Sequence, residues 1–249
     1  ASLLAQRCIQ PGSAKVTFGT GSSLMLNRGH QPRFSRNGVL TALAWTHRGV
    51  PTYAFEGIII SSAATLNWLR DQLGLAQDVT TIEKLALEIP DNGGVYLVPA
   101  FAGLGLPHWS PRARAAISGL SSHSDRRHVA RAGFESIAYQ IRDALDAMRA
   151  EAGVPLLSLH GDGGPTASKF LMQFVADIAR TELHVSTMSD CSPLGAVFAA
   201  QLGLNHHDAI DGLTSIGRDA VIYRSRMNEP AVARNYEGWR TAVRQTLTT

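Results

Sequence analysis

The segment KVTFGTGSSLMLN, residues 15–27, decides how the rest of the chain is interpreted. Its β-branched and apolar residues predict two strands, Lys15–Phe18 and Ser22–Asn27, joined by the turn Gly19-Thr20-Gly21. Glycines let a backbone approach a phosphate group closely, and a threonine hydroxyl adds a hydrogen-bond donor. The turn is therefore a candidate phosphate site, although an ordinary tight hairpin turn explains the same spacing when it is taken alone.

A second glycine turn, Asp162-Gly163-Gly164, follows a predicted hydrophobic strand at 156–159 and precedes a predicted helix at 166–180. Such a junction offers an anion free N–H groups and the positive end of a helix dipole. Asp162 is a candidate for holding a metal-bound water beside phosphate oxygens, or simply a cap of the β-to-α turn. Neither glycine turn is a Walker A loop, because neither is followed by G-K-[ST]. Together, the two turns are typical of actin-like ATPase lobes, in which two loops converge on one nucleotide.

The remaining pattern places antiparallel hairpins first and then alternates helices with single strands. A second hairpin is predicted at 39–45 and 51–55, further strands at 94–99 and 183–185, and helices at 61–73, 80–88, 127–150, 192–202 and 236–247. Thr80 or Thr81 is the expected N-cap of the second helix. This order predicts the α/β class, and the short connections predict one domain over residues 1–249.

Composition and charge argue against nucleic-acid binding and against a membrane protein. The chain has 23 basic and 20 acidic residues and a net charge of +3, so its charge gives no case for a nucleic-acid partner or an anionic membrane. No stretch is long and apolar enough for a membrane helix. Cys8 and Cys191 have no zinc-site spacing and predict two thiols in the reducing cytoplasm, with a single disulfide left open as the alternative.

Several strings resemble the FGGY family of carbohydrate kinases, and within it the glycerol kinases. They are FGTGSSLMLN, GVLTALAW, YAFEG with NWLRD, NGGVYLVPAFAGLGLPHWSPRARAAISGL, FESIAYQIRDALDAM, DGG with FLMQFVADI, and PLGAVFAAQLGL, in unbroken order. The resemblance implies an actin-like (ribonuclease H-like) fold with a mixed sheet flanked by helices. It implies that residues 1–249 form the C-terminal, nucleotide-binding lobe, with the N-terminal sugar-binding lobe outside this chain.

The resemblance also implies a set of site residues. Thr20, with Gly19 and Gly21, is expected to meet the β- and γ-phosphates of ATP, and Gly163 and Gly164 to pack along the α-phosphate and ribose. Four positions are expected to line the adenine pocket, and glycerol kinases carry other side chains at three of them: Leu66, Asn67, Ser168 and Lys169.

Two departures from the family pattern bear on the substrate and on catalysis. Ser23 stands where glycerol kinases place a Phe against the carbon chain of glycerol, which favours a larger or more hydroxylated substrate. The Asp that acts as the family's general base is expected upstream of Ala1, where the chain opens inside an apparent helix, so no catalytic residue is expected within the chain.

These observations predict a sugar or polyol kinase that uses ATP and Mg²⁺ in the cytoplasm, with no protein ligand bound directly to the metal. The fragment alone is expected to bind nucleotide weakly and to be inactive, and a homodimer is one option that the family allows. One alternative is a non-catalytic, actin-like module that senses a sugar or a partner. Another is a purely structural α/β domain, which would leave the pairing of the two glycine turns unexplained.

Overall fold

A computed structural model describes residues 1–188, 190–206, 212 and 219–247. Its main feature is a seven-stranded mixed sheet with the strand order β3-β4-β2-β1-β7-β8-β9. The strands are β1 (Ser13–Phe18), β2 (Ser22–Gly29), β3 (Leu40–His47), β4 (Val50–Ile59), β7 (Ser158–Asp162), β8 (Leu183–Ser186) and β9 (Ala220–Tyr223). A separate two-stranded sheet pairs β5 (Tyr96–Val98) with β6 (Ala116–Ser118).

Seven α-helices are described, together with a short 3-10 helix at Gly164–Ala167. They are α1 (Ser2–Ala5), α2 (Ala63–Asp71), α3 (Val79–Leu87), α4 (Arg126–Ala152), α5 (Lys169–Ala179), α6 (Ser192–Gly203) and α7 (Glu229–Leu247). The helix α4 begins at an Asp125 cap and ends at Gly153, whose φ of 65° is a left-handed conformation that suits glycine. The predicted α/β class and mixed sheet are confirmed.

The two faces of the sheet differ because residues alternate along each strand. On β1, the residues Ala14, Val16 and Phe18 belong to the main hydrophobic core, together with residues of α2, α4 and α5. The intervening residues Lys15 and Thr17 lie on the opposite face, where α1 and α6 pack. One face is therefore apolar and the other carries polar side chains under two helices.

Several predicted boundaries change in the structure. The N-cap of α3 is Asp78, whose carboxylate accepts a hydrogen bond from the Thr81 N–H, rather than Thr80 or Thr81. The strand β7 extends through Asp162, because its backbone pairs with Thr17 on β1. The opening helix ends at Ala5, well before Pro11. The strands β6 and β9 are too short and too exposed to leave a periodic signal in the sequence.

Candidate nucleotide site

The two glycine turns lie side by side at one edge of the sheet. The strands β1 and β7 are parallel neighbours, with Thr17 opposite Asp162, so the turns that follow them leave the sheet at the same end. Gly163 has a φ of 108°, and a Cβ at this position would collide with the carbonyl oxygen of Phe18. Only glycine allows this approach of the two backbones, and the predicted proximity of the turns is confirmed.

The first turn is held by the start of α2. The N–H groups of Ser62 and Ala64 donate to the Thr20 carbonyl, and the N–H of Ala63 donates to the Gly19 carbonyl. The positive end of the α2 dipole therefore points at the turn, which favours a negative charge beside it.

Gly19, Thr20 and Gly21 were expected to meet the β- and γ-phosphates, and their backbone N–H groups differ in the structure. The N–H of Gly19 donates to the Gly21 carbonyl at 2.8 Å, so it is used within the turn. The N–H groups of Thr20 and Gly21 have no acceptor among the described residues, and the side chain of Thr20 is exposed. Thr20 and Gly21 thus keep the donors that a phosphate would need.

The second turn presents an open backbone surface. Gly164 is exposed, begins the 3-10 helix, and has no described atom within 4 Å of an added Cβ. Its N–H lies at the start of that helix, where no intrahelical acceptor is available. A flat ligand group can therefore approach Gly164 closely.

The four expected adenine contacts have unequal surroundings. Leu66 is only 3% exposed and packs in the main core, so it offers little surface to a ligand. The Ser168 hydroxyl accepts a hydrogen bond from the Leu171 N–H as the N-cap of α5 and donates to Glu83 at 2.7 Å. Asn67 is half-buried and Lys169 is exposed, so these two retain surface for a base. The resemblance assigns residues to sequence positions, but it does not show where their side chains point. This is why only two of the four expected adenine contacts keep surface for a base.

Asp162 is fully buried at the end of β7. Its carboxylate accepts hydrogen bonds from the Gln6 side-chain amide and from the Cys191 N–H, each at 2.8 Å. These bonds tie α1 and the start of α6 to the strand end. The described residues contain no group of three His, Cys, Asp or Glu side chains placed to hold a metal. Asp162 therefore does not fit a direct magnesium ligand.

Lys15 is a buried cation beneath the first turn that the sequence analysis missed. It is 4% exposed, and its ammonium group donates to the Ser23 hydroxyl at 3.1 Å, to the Ser23 carbonyl at 3.1 Å and to the Thr17 hydroxyl at 3.2 Å. Burial lowers the pKa of Lys15, while the nearby charges of Asp162 and Glu56 oppose that shift. The available signal was a lysine alternating with Ala14 and Val16 in a central strand, where a polar residue must find partners inside the protein.

Comparisons with known proteins agree with this geometry. A model of the FGGY family of carbohydrate kinases, C-terminal domain, matches residues 14–204. A glycerol kinase of Vibrio cholerae is 42% identical over 244 residues, which cover 98% of this chain and 48% of that protein. A glycerol kinase of Shewanella amazonensis is also 42% identical, with 99% of this chain and 50% of that protein covered. The chain thus spans about half the length of these curated relatives.

Solved structures show the same fold. The crystal structure of Plasmodium falciparum glycerol kinase with ADP matches with a TM-score of 0.89 at 32% identity, covering 99% of this chain and 49% of that one. A xylulose kinase from Lactobacillus acidophilus matches with a TM-score of 0.86 at 19% identity, covering 100% and 50% of the two chains, and supports the fold alone. The mixed sheet flanked by helices is that of an actin-like ATPase lobe.

Proposed function

This chain belongs to the FGGY family of carbohydrate kinases, and from that premise we propose that the protein containing it transfers the γ-phosphoryl group of ATP to a hydroxyl of a sugar or polyol. One observation carries the proposal: Gly163 lies against the Phe18 backbone, so that both glycine turns open at one edge of the sheet. A triphosphate that lies across that edge would meet Thr20 and Gly21 on one side and Gly164 on the other. The Plasmodium falciparum glycerol kinase was crystallised with ADP, which supports an adenine nucleotide as the ligand.

The part that this chain plays is positioning and charge stabilisation. The N–H groups of Thr20 and Gly21, backed by the start of α2, would steady the transferring phosphoryl group. Mg²⁺ would be bound by the nucleotide phosphates and by several waters, which this ion gives up reluctantly. No step is assigned to a protein–metal contact in this chain, because Asp162 is buried and engaged.

The acceptor would lie beside Ser23, which is half-buried at the start of β2 next to the first turn. A hydroxyl at this position favours an acceptor richer in oxygen than glycerol. Since Asp162 is enclosed by protein donors, it does not suit the role of a base for the attacking hydroxyl. We therefore place the base in a part of the protein that this chain does not contain, and expect the chain alone to bind nucleotide without turnover.

The cellular setting follows from the same chemistry. Cys8 and Cys191 are both buried thiols rather than a disulfide, which supports a reducing, cytoplasmic location. Within the described part of the chain, no helix has the length and apolarity to cross a membrane. A homodimer stays an option for the full-length protein.

A coupled assay that follows ADP production tests the proposal with the full-length protein. The acceptor panel contains glycerol, D-xylulose and gluconate, and the 249-residue chain serves as the matched control. We expect turnover of at least one acceptor by the full-length protein and none by the chain. No turnover of any acceptor, from a protein that binds MgATP, would contradict the kinase proposal.

A non-catalytic binding module is the second candidate. The engaged hydroxyl of Ser168 and the burial of Leu66 favour it, because they reduce the surface left for adenine. Such a module predicts no heat when the chain is titrated with MgATP, whereas the kinase predicts measurable binding.

A further inference from the structure

The first 55 residues of the chain carry a one-sided excess of positive charge. They contain six Lys and Arg residues and no Asp or Glu, so that the first acidic residue is Glu56. The remainder of the chain contains 17 basic and 20 acidic residues. The small net charge of +3, which gives no case for an anionic partner, therefore hides an uneven distribution. Three of the six basic residues lie close together, at 28–36.

This basic stretch forms the loop at 30–39 between β2 and β3. The strand β2 begins at Ser22 beside the first glycine turn and ends at Gly29, about 23 Å further along. The loop then passes the C-terminal end of α4, where the Arg33 Nη1 lies 2.8 Å from the position of a Cβ added to Gly153. The loop thus leaves the sheet at the end away from the first glycine turn, on a surface that nucleotide binding does not use.

The three arginines of this stretch differ in their partners. Arg28 is half-buried, donates to the Ala152 carbonyl at the end of α4 and lies over the Phe55 ring, so it is engaged inside the protein. Burial and the neighbouring charge of Arg33 lower the pKa of Arg28. Arg33 and Arg36 are exposed, and among the described residues neither guanidinium group has an ion-pair or hydrogen-bond partner. Arg33 and Arg36 are therefore available to an anion.

Phe34 lies between these two arginines. It is 81% exposed, more than any other large apolar residue in the described part of the chain. The backbone is held on both sides of it, because the Ser35 hydroxyl accepts a hydrogen bond from the Asn37 N–H at 3.0 Å and the Thr41 hydroxyl donates to the Arg33 carbonyl at 2.5 Å. These bonds fix the loop in a shape that leaves the ring uncovered. A single exposed apolar residue is common, but an aromatic ring held out between two unpaired cations is a different pattern.

We propose that Arg33, Phe34 and Arg36 form a docking surface for an anionic lipid bilayer, in which the two guanidinium groups bind lipid phosphates and the ring enters the boundary between headgroups and acyl chains. Aromatic side chains are enriched at that boundary, and basic residues are attracted to anionic lipids. A lipid surface is favoured over an acidic protein, because a specific protein interface buries roughly 1,200 Å² or more, and this loop offers one ring and two cations. The inference does not depend on the kinase proposal.

Sedimentation with lipid vesicles tests this docking surface, using the full-length protein. Vesicles of phosphatidylglycerol and phosphatidylcholine in equal parts provide the anionic surface, and vesicles of phosphatidylcholine alone provide the neutral one. We expect a partition coefficient about 25-fold higher on the anionic vesicles, since each of the two arginines contributes about fivefold at such a surface. The difference should shrink at high ionic strength, because salt screens the attraction. The double variant Arg33→Ala/Arg36→Ala should bind the anionic vesicles about 25-fold more weakly.

Matched variants separate this surface from general charge and apolarity. Arg240→Ala/Arg244→Ala removes two exposed arginines of α7, changes the net charge by the same amount and is expected to bind like the unmodified protein. Phe34→Ser is expected to weaken binding about tenfold, whereas Leu87→Ser, at an exposed residue of α3, should not. Phe34→Trp reports insertion directly: relative to the unmodified protein, its added fluorescence should shift to shorter wavelength on anionic vesicles.

Four outcomes overturn the inference. They are equal partition onto the two kinds of vesicle, equal losses in the two double-arginine variants, unchanged partition of Phe34→Ser, and no shift in the added fluorescence of Phe34→Trp. Binding to poly-L-glutamate that requires Arg33 and Arg36, without binding to vesicles, would overturn it as well and assign the surface to an acidic protein. The kinase proposal is judged by turnover in solution without lipid, so the two proposals fail separately.

Discussion

The two faces of the central sheet are built from alternate residues of the same strands, yet they serve different ends. On β1, Val16 and Phe18 are fully or almost fully buried in the apolar core that also contains residues of the helices α4 and α5. One residue away, Lys15 and Thr17 take part in a buried polar network with Ser23 and Ser2. Burial of a lysine is unfavourable unless every proton is bonded, so the polar face costs stability that the apolar face must supply. We infer from this difference that the apolar face stabilises the fold and that the polar face arranges the site.

The largest expected effect sharpens this comparison directly. Phe18→Ala removes a fully buried ring from the apolar face and is expected to lower the free energy of unfolding by about 3–5 kcal/mol. Thr17→Val, the neighbouring change on the polar face, keeps the side-chain volume and removes one hydroxyl, for an expected loss of about 1–2 kcal/mol. Urea unfolding of both variants gives the two values. Equal losses would mean that the apolar face does not contribute more to the free energy of unfolding than the polar face.

A second variant tests the contact that joins the two glycine turns. Gly163→Ala places a Cβ against the Phe18 carbonyl and forces a non-glycine residue to a φ of 108°. We expect a loss of about 3 kcal/mol in the free energy of unfolding, since strain and overpacking each contribute about 1–3 kcal/mol. Gly203→Ala is the matched control, because no described atom lies within 4 Å of its added Cβ and its φ is not in the left-handed region. A loss in Gly163→Ala no greater than in the control would disprove the close approach.

A smaller, pH-dependent effect concerns Glu135, a carboxylate that is buried in α4. Burial raises the pKa of Glu135 from 4.5 to about 7, although Arg131 donates to it at 2.8 Å and Asn92 and Tyr139 also donate. Between these two pH values the folded state holds a proton that the unfolded state has released. The contribution of Glu135 to the free energy of unfolding is therefore present below pH 4.5 and is lost as the pH rises to 7.

Glu135→Gln removes this titration. Urea unfolding between pH 5 and 7 should show a decline in stability for the unmodified chain that is shallower in Glu135→Gln, by at most about 1.4 kcal/mol per pH unit. Glu88→Gln, at an exposed position, is the control and should keep the decline. Identical slopes in all three proteins would show that Glu135 does not hold its proton in this range.

Much of the fold could be predicted from the sequence because its strands and long helices carry strong periodic patterns. The hairpin of β1 and β2, the long α4 and the position of both glycine turns follow from alternation, helical spacing and glycine placement. The short strands β6 and β9 could not be predicted, since three half-exposed residues in β6 and four largely exposed residues in β9 leave no period to detect.

The candidate site could be predicted less fully. Glycine positions indicate where the backbone bends, and this was sufficient to bring Thr20 and Gly164 to the same edge of the sheet. Which backbone N–H groups remain available to a ligand depends on contacts between segments that are distant in sequence, such as α2 with the first turn. The burial of Leu66, the capping role of Ser168 and the bonds of Lys15 are of the same kind, because each depends on a partner far away in sequence.

The most direct test of the account is a calorimetric titration of the chain with MgATP, comparing Gly164→Val with Gly203→Val. No described atom lies within 4 Å of an added Cβ at either glycine, so the two positions are matched in the space around the new side chain's first carbon. If a nucleotide packs along Gly164, we predict that Gly164→Val weakens MgATP binding by at least about tenfold, a loss of about 1.4 kcal/mol, while Gly203→Val binds like the unmodified chain. Equal binding by all three proteins would contradict the claim that the two glycine turns hold one triphosphate.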